Sequence, residues 1–438
     1  MPSFPKTGFR SGAGSGLHHV NWRKVIGPGL LFATSAIGSS HLVLSTRAGA
    51  HYGFIFFWII GITLLLKYPF FEFATRYTAA TGRSILYGYR QQGKWAVVLY
   101  LLVVLSVVFT VTGALAAVCG GLLSAFGLSG IPVPVLVGSI LVVTILILLI
   151  GRFAALDVFM KGMAGILFVT VLVCFVAVVF KGPVRQVAVL PLASELLSGN
   201  GLLLTVSLVG FMPTGVEASV FQSVWVLEKE KTSNYRATIR ESLVDFNIGY
   251  GLTSILALMF MTIGAFTVYG SGQLLEGNAT QFSTKLLKVF STHLGGWSFS
   301  LLAIAAFSTM YSTLITALDA FVRSFVQGVD LLKSEQATKK QRSAFFNRAY
   351  TFLILLVCGV AFFLFSQFPG SMIRMLESAT VINFLVAPVV ATLNYRSIMR
   401  KEVPLPARPG KQLTVLARCG LVAITLFAGY YLFNVILT

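Results

Sequence analysis

The chain of 438 residues is 56% hydrophobic and only 11% charged, with a mean hydropathy of +0.85 and a formal net charge of +19. That balance lies beyond what a soluble globular domain carries and reads as a polytopic membrane protein with the lipid bilayer as its surroundings. In a soluble chain so much positive charge would suggest a nucleic-acid partner; here the charges sit between apolar runs, which excludes that class.

Residues 1–24 hold Lys6, Arg10, Arg23 and Lys24 among Gly and Ser without an apolar h-region, so they read as a basic cytoplasmic tail and not a cleaved signal. A hydrocarbon core of about 30 Å needs about 20 helical residues. Runs of that kind lie near 25–51, 53–78, 95–126, 133–151, 153–180, 201–227, 240–269, 296–327, 344–367, 371–397 and 412–436, giving eleven expected transmembrane helices in one domain, 25–436. The join between spans 4 and 5, at Gly151-Arg152, is short. With the N-terminus cytoplasmic and the C-terminus outside, twenty-five of the 33 Lys and Arg fall on the inner side and six on the outer, with Lys67 and Lys161 inside spans. This is the positive-inside pattern of a multi-pass protein, with a bacterial-type inner (cell) membrane as the expected location. No Walker or dinucleotide fingerprint occurs, which argues against an ATP-driven pump.

Span 1 is interrupted at its middle, where Gly38-Ser39-Ser40-His41 replaces the apolar pattern. Span 6 repeats the interruption at Gly210-Phe211-Met212-Pro213-Thr214-Gly215, where Pro213 lacks an N–H and Gly215 is free to leave helical geometry. Non-helical backbone at membrane depth survives only where it is buried in protein or lines a cavity. Two five-span halves of opposite orientation, 25–180 and 201–397, would pair these broken helices at the midplane, with 412–436 as an extra helix. The expected fold is therefore all-α, with a 5+5 inverted repeat and discontinuous helices 1 and 6. The bland alternative is a pair of ordinary Gly/Pro kinks in a packed bundle.

Ionisable groups inside spans are costly and default to functional candidates. Glu72 and Arg76, Asp157 and Lys161, and Asp319 and Arg323 are four apart, and Arg374 and Glu377 three apart, so each can neutralise its neighbour. Asp245 lies near the mouth of span 7, where snorkelling is easy. His41, Lys67 and Glu217 have no local partner. Either Lys67 and Glu217 form a buried ion pair supporting the span 6 break, or Glu217 coordinates cargo or carries a proton, with His41 a metal ligand, a proton relay or a hydrogen-bonded filler. Ser308, Thr309, Ser312 and Thr313 repeat hydroxyls along span 8, which commonly satisfy helix carbonyls. Cys119, Cys174, Cys358 and Cys419 lie in separate apolar runs without CxxC spacing, which reads as buried apolar cysteine and not zinc or disulfide chemistry.

The Gly27-Pro28-Gly29 segment, the broken helix after it, Ala48-Gly49-Ala50 with Tyr52-Gly53, the Met212-Pro213 pair, and the close of span 10 as Ala387-Pro388 with Asn394 to Met399 resemble the natural resistance-associated macrophage protein (Nramp) family of proton-coupled divalent-metal transporters. The resemblance covers most of the chain and implies a leucine-transporter-like inverted repeat with span 11 peripheral. It departs from the family where the metal is bound. The family's Asp-Pro-Gly-Asn falls on Gly38-Ser39-Ser40-His41, and its Met-Pro-His on Met212-Pro213-Thr214. If Gln222-Ser223 is placed on the family's His-Ser instead, Glu217 lands near that histidine. The substrate site it implies comprises Gly38, Ser39, Ser40, His41, Met212, Pro213, Thr214 and Glu217, with His41, Met212 and Glu217 as metal ligands. Relatives in the superfamily hold sodium between span 8 hydroxyls and span 1 carbonyls, or replace it with a span 5 lysine. That makes Lys67, Lys161, Ser308, Thr309, Ser312 and Thr313 the coupling candidates.

The leading reading is a secondary active transporter that takes up a divalent metal cation with protons by alternating access, with altered selectivity and no cofactor. The alternative is a sodium- or proton-coupled transporter of a small organic solute such as an amino acid, whose carboxylate would meet backbone N–H groups at Gly38, Ser39 and Ser40. A third is a non-transporting homologue. An enzyme is not expected, because no nucleophile, base and orienter recur at usable spacing.

Overall fold

Each long apolar run winds into a helix because lipid leaves backbone polar groups no partner but one another. The computed structural model describes residues 22–187, 196, 199–271, 279–333, 339–368 and 372–437; the basic tail up to residue 21 lies outside them. Among the described residues nine helices are long and apolar enough to cross a bilayer: Ile55–Thr81, Lys94–Ala125, Val133–Ile150, Phe153–Lys181, Ile239–Thr267, Ser298–Leu332, Lys340–Gln367, Met375–Ile398 and Lys411–Val435. They are spans 2–5 and 7–11. Helical hydrogen bonding runs on through Gly151-Arg152, so spans 4 and 5 follow one another within the single helix Val133–Lys181. Span 1 is a tenth crossing, bent by 44° between Pro28–Ala36 and Ser40–Tyr52. Span 6 is the eleventh, its halves Gly199–Phe211 and Ala218–Ser233 separated by Met212 to Glu217.

Burial orders these helices. The apolar window of span 8 is 83% buried and that of span 3 is 72%, whereas span 11 reaches only 22%. Spans 3 and 8 therefore form the centre, and span 11 is peripheral.

Small residues bring spans 1 and 7 into backbone contact at two levels. A Cβ on Gly249 would strike the Gly29 backbone, and one on Gly264 would strike Thr46. Gly49 likewise lies against the backbone of Met261. In lipid, where tails are as apolar as leucine, such close approach is what holds helices together. At the start of span 1, Asp245 of span 7 accepts the Gly27 and Gly29 N–H groups at 3.0 and 2.7 Å. Asp245 does not snorkel as expected; it is 3% exposed and caps the orphan donors of a helix N-terminus.

The ion pairs expected four apart are present, with additional partners. Glu72 pairs with Arg76. Asp157 Oδ2 meets Lys161 at 2.9 Å and also Lys229 at 2.7 Å, tying span 5 to the end of span 6. Asp319 pairs with Arg323 at 2.6 Å and accepts Trp225 Nε1 at 3.0 Å and the Tyr350 hydroxyl at 2.6 Å. Glu377, expected to face Arg374, pairs with Arg47 of span 1 at 3.1 Å. The Arg374 side chain lies outside the described residues. All four cysteines are free, and Cys419 is exposed where a buried one was expected.

The contact between spans 1 and 7 is testable within one helix. Gly249→Leu should cost roughly 1–3 kcal/mol or more by overpacking, read as lower thermal stability and loss of monodisperse protein in detergent. Gly251→Leu, two residues away with nothing within 4 Å of its Cβ position, should melt like the wild type.

Candidate functional site

The span 6 break leaves the last carbonyls of Gly199–Phe211 without helical partners, because Pro213 has no N–H and the chain turns before Ala218 resumes the helix. Lys67 of span 2 supplies the donors. Its ammonium, 1% exposed, donates to the carbonyls of Val209 (3.1 Å), Gly210 (3.0 Å) and Thr214 (2.8 Å), spanning the break from both sides. Three donors on one ammonium match three carbonyls. The direct ion pair with Glu217, one of the two readings of the sequence, is absent: no Lys67–Glu217 contact falls within 4.0 Å. The helix end needs hydrogen bonds more than the carboxylate needs a salt bridge. Glu217 instead folds back over Gly215, where a Cβ would overlap both carboxylate oxygens, and sits at the N-terminal end of the second half-helix.

Span 1 is not unwound as expected. Gly38–Ser45 widens into a π-helix, so the chain keeps winding while its hydrogen-bond register slips. Side chains add to the backbone bonds of this segment: Ser45 Oγ donates to Ser40 O at 3.2 Å, and Thr46 Oγ1 to His41 O at 3.5 Å, a carbonyl the Thr46 N–H also meets. Gly38 is needed because span 8 passes directly over it. A Cβ there would overlap the Thr313 side chain, whose hydroxyl donates to Thr34 O at 2.7 Å.

The two breaks meet. Ser40 Oγ lies 3.1 Å from the carbonyl of Pro213, 2.6 Å from that of Ala36 and 2.6 Å from His41 Nδ1. His41 Nε2 lies 2.9 Å from Thr253 O on span 7 and must donate there, since a carbonyl only accepts. Both imidazole nitrogens are thus engaged within the protein, and His41 is fully buried.

Of the expected substrate residues, the structure brings Ser40, His41 and Pro213 together, with the Thr214 carbonyl on Lys67 and the Met212 side chain fully buried at the same break. Among the described residues no group of three His, Cys, Asp or Glu side chains could hold a metal, so His41 and Glu217 do not converge with a third such ligand. The span 8 hydroxyls are committed elsewhere. Thr309 donates to Ala305 O at 2.6 Å, Ser312 to Thr309 O at 3.0 Å, and Thr313 to span 1 as above. Ser308 is buried beside them. Lys161 sits on Asp157 and does not join them, so the expected lysine-for-sodium arrangement is not formed. Sequence reasoning missed Asn383 and Gln222, two buried amides with neither polar atom partnered among the described residues. The rule that singled out ionisable groups in mid-span would have found Asn383 had it been extended to neutral amides.

Comparison with known proteins agrees with this architecture. A family model described as natural resistance-associated macrophage protein-like (Nramp) matches residues 29–434. An uncharacterised protein of Pasteurella multocida is 31% identical over 405 residues, covering 92% of this chain and 90% of that one. The divalent metal cation transporter MntH of Staphylococcus saprophyticus is 25% identical over 257 residues, 56% of each chain. Among solved structures, the manganese transporter of Eremococcus coleocola superposes with a TM-score of 0.66 at 14% identity, covering 94% of this chain and 87% of that one.

The capping role of Lys67 predicts the outcome of its removal. Lys67→Met keeps an unbranched side chain one atom shorter and orphans three carbonyls in a low-dielectric layer, so it should cost about 3–5 kcal/mol of stability. Thermal melting in detergent measures it; a melting curve equal to that of the wild type would refute the capping role.

Proposed function

The chain belongs to the Nramp family, and on that premise we propose that it is a secondary active transporter that carries a divalent metal cation by alternating access, coupled to protons. The observation that carries this reading is the meeting of the two breaks at Ser40 and Pro213, where span 6 also supplies backbone carbonyls, the buried Met212 side chain and Glu217. Carbonyl and thioether donors suit a borderline cation such as Mn²⁺, but they carry no charge. Glu217 is then the one acidic side chain in the break from Met212 to Glu217 that could offset it.

Selectivity should differ from that of relatives with a span 1 aspartate. Thr313 occupies the space that any side chain at position 38 would need, so a carboxylate cannot simply be restored there. His41 fits proton handling better than ligation. Ser40 has one hydroxyl proton facing three acceptors, and a proton added at His41 Nδ1 would turn that contact into a donated bond while Ser40 still serves a carbonyl. The excess of Lys and Arg on one side argues for a cytoplasmic N-terminus and location in the cell membrane.

A second reading, a small organic solute, is favoured by one observation: among the described residues the breaks bring together no three-ligand metal cluster. Uptake of Mn²⁺ into proteoliposomes separates the two. An outside-acid gradient should accelerate uptake by the wild type, and Glu217→Gln should slow it roughly tenfold or more, the loss of a charge-bearing contact. Gly38→Asp alone should fold poorly, and Gly38→Asp combined with Thr313→Gly should fold and take up Mn²⁺ faster than the wild type. Absence of Mn²⁺ uptake by the wild type under either gradient would refute the metal reading.

A further inference from the structure

Most positive charge on a membrane protein sits in loops and is solvated there, and an arginine on a lipid-facing stripe is the exception that calls for a partner. Span 11 carries one. Val415, Arg418 and Val422 are exposed and stand at i, i+3 and i+7, so they share the face that this peripheral helix turns away from the bundle. Arg418 lies seven residues into Lys411–Leu437, about 10 Å of helix from its start. It meets no carboxylate among the described residues; its Nε donates at 3.0 Å to the hydroxyl of Tyr395 on span 10.

The adjoining span ends in the same way. Arg396, the residue after Tyr395, is exposed on one face with Val389, seven residues before it. Beyond it the chain folds tightly up to span 11: Arg408 donates to the carbonyls of Arg400 and Val403 at 3.0 and 3.2 Å, and Val403 and Ala407 are buried. From Arg396 to Arg418 there are six Lys and Arg and one acid, Glu402, which accepts the Tyr77 hydroxyl at 2.7 Å. The corner between spans 10 and 11 is therefore a fixed, strongly positive edge whose guanidiniums at 396 and 418 border lipid-exposed valines.

We propose that this corner binds an anionic phospholipid, its phosphate held by Arg396 and Arg418 and its acyl chains lying along the exposed faces of spans 10 and 11. The valines on either side of Arg418 are left to lipid, so the partner comes from the bilayer and not from solution. A guanidinium matches a phosphate through paired N–H donors, and the six-to-one excess of basic residues selects a headgroup of net negative charge over a zwitterionic one. A lipid held here joins span 11, the least buried of the nine long spans, to span 10, whatever cargo the protein carries.

Cys419, next to Arg418 and the one exposed cysteine of the four, makes the corner readable. A bimane attached there, in nanodiscs of phosphatidylcholine doped with a few per cent of spin-labelled lipid, should be quenched severalfold more strongly by phosphatidylglycerol than by phosphatidylcholine with the same acyl chains. Equal quenching by the two lipids would overturn the proposal without recourse to any variant. Arg396→Gln with Arg418→Gln should lower the enrichment of phosphatidylglycerol roughly tenfold or more, the loss of two phosphate contacts. Both side chains are exposed, so this protein should melt like the wild type. Lys340→Gln with Arg348→Gln removes the same charge from two exposed positions before span 9 and should leave the preference intact. A preference that survives the first pair, or is lost equally with the second, would refute a site at this corner.

Discussion

The structure hangs on the capping of the span 6 break by Lys67. Breaking a helix inside a membrane exposes carbonyls where neither water nor lipid can bond them. A single ammonium reaching Val209, Gly210 and Thr214 answers that need and fixes the geometry of the break from the opposite helix. The charge brought in to do so is itself costly, and its three charge-assisted bonds offset that cost. Glu217 is left without a salt bridge to Lys67 and folds back over Gly215 at the start of the second half-helix.

Span 1 solves the same problem differently. Its π-helical segment keeps winding, and hydroxyls from Ser40, Ser45 and Thr46 return to carbonyls four or five residues before them. The segment is then held from three sides: His41 reaches span 7, Thr313 reaches back from span 8, and Ser40 lies on Pro213 of span 6. With the Gly29–Gly249 and Thr46–Gly264 backbone contacts and the Asp245 cap, spans 1 and 7 are joined along most of their length. Motion that opens the site must either carry span 7 with span 1 or break those bonds.

Polar contacts between helices bear on the same question. Trp225 on Asp319 and Lys229 on Asp157 tie the second half of span 6 to spans 8 and 5, while Arg47 on Glu377 ties span 1 to span 10. Each links a broken helix to an unbroken one. Partly exposed pairs such as Arg47–Glu377 contribute little to stability and are easily exchanged, which suits contacts that form and dissolve as a transporter cycles.

Composition and pattern alone mark the long apolar crossings and the two interrupted helices, because the cost of polar backbone in lipid acts on every residue locally and leaves a record in the order of the side chains, whereas the family was legible only as a resemblance in short motifs. Proline at 213, glycine at 38 and a lysine at 67 in an apolar run are visible without any fold. What Lys67 bonds to is not, since Gly210 lies 143 positions away in the chain and only packing brings the two together. The same holds for Asp245 on Gly27, for Thr313 filling the space beside Gly38, and for Glu377 on Arg47, 330 positions away. Local spacing can name a possible partner; distance in the folded molecule decides among partners, because hydrogen bonds and desolvation act over a few ångströms and not along the chain.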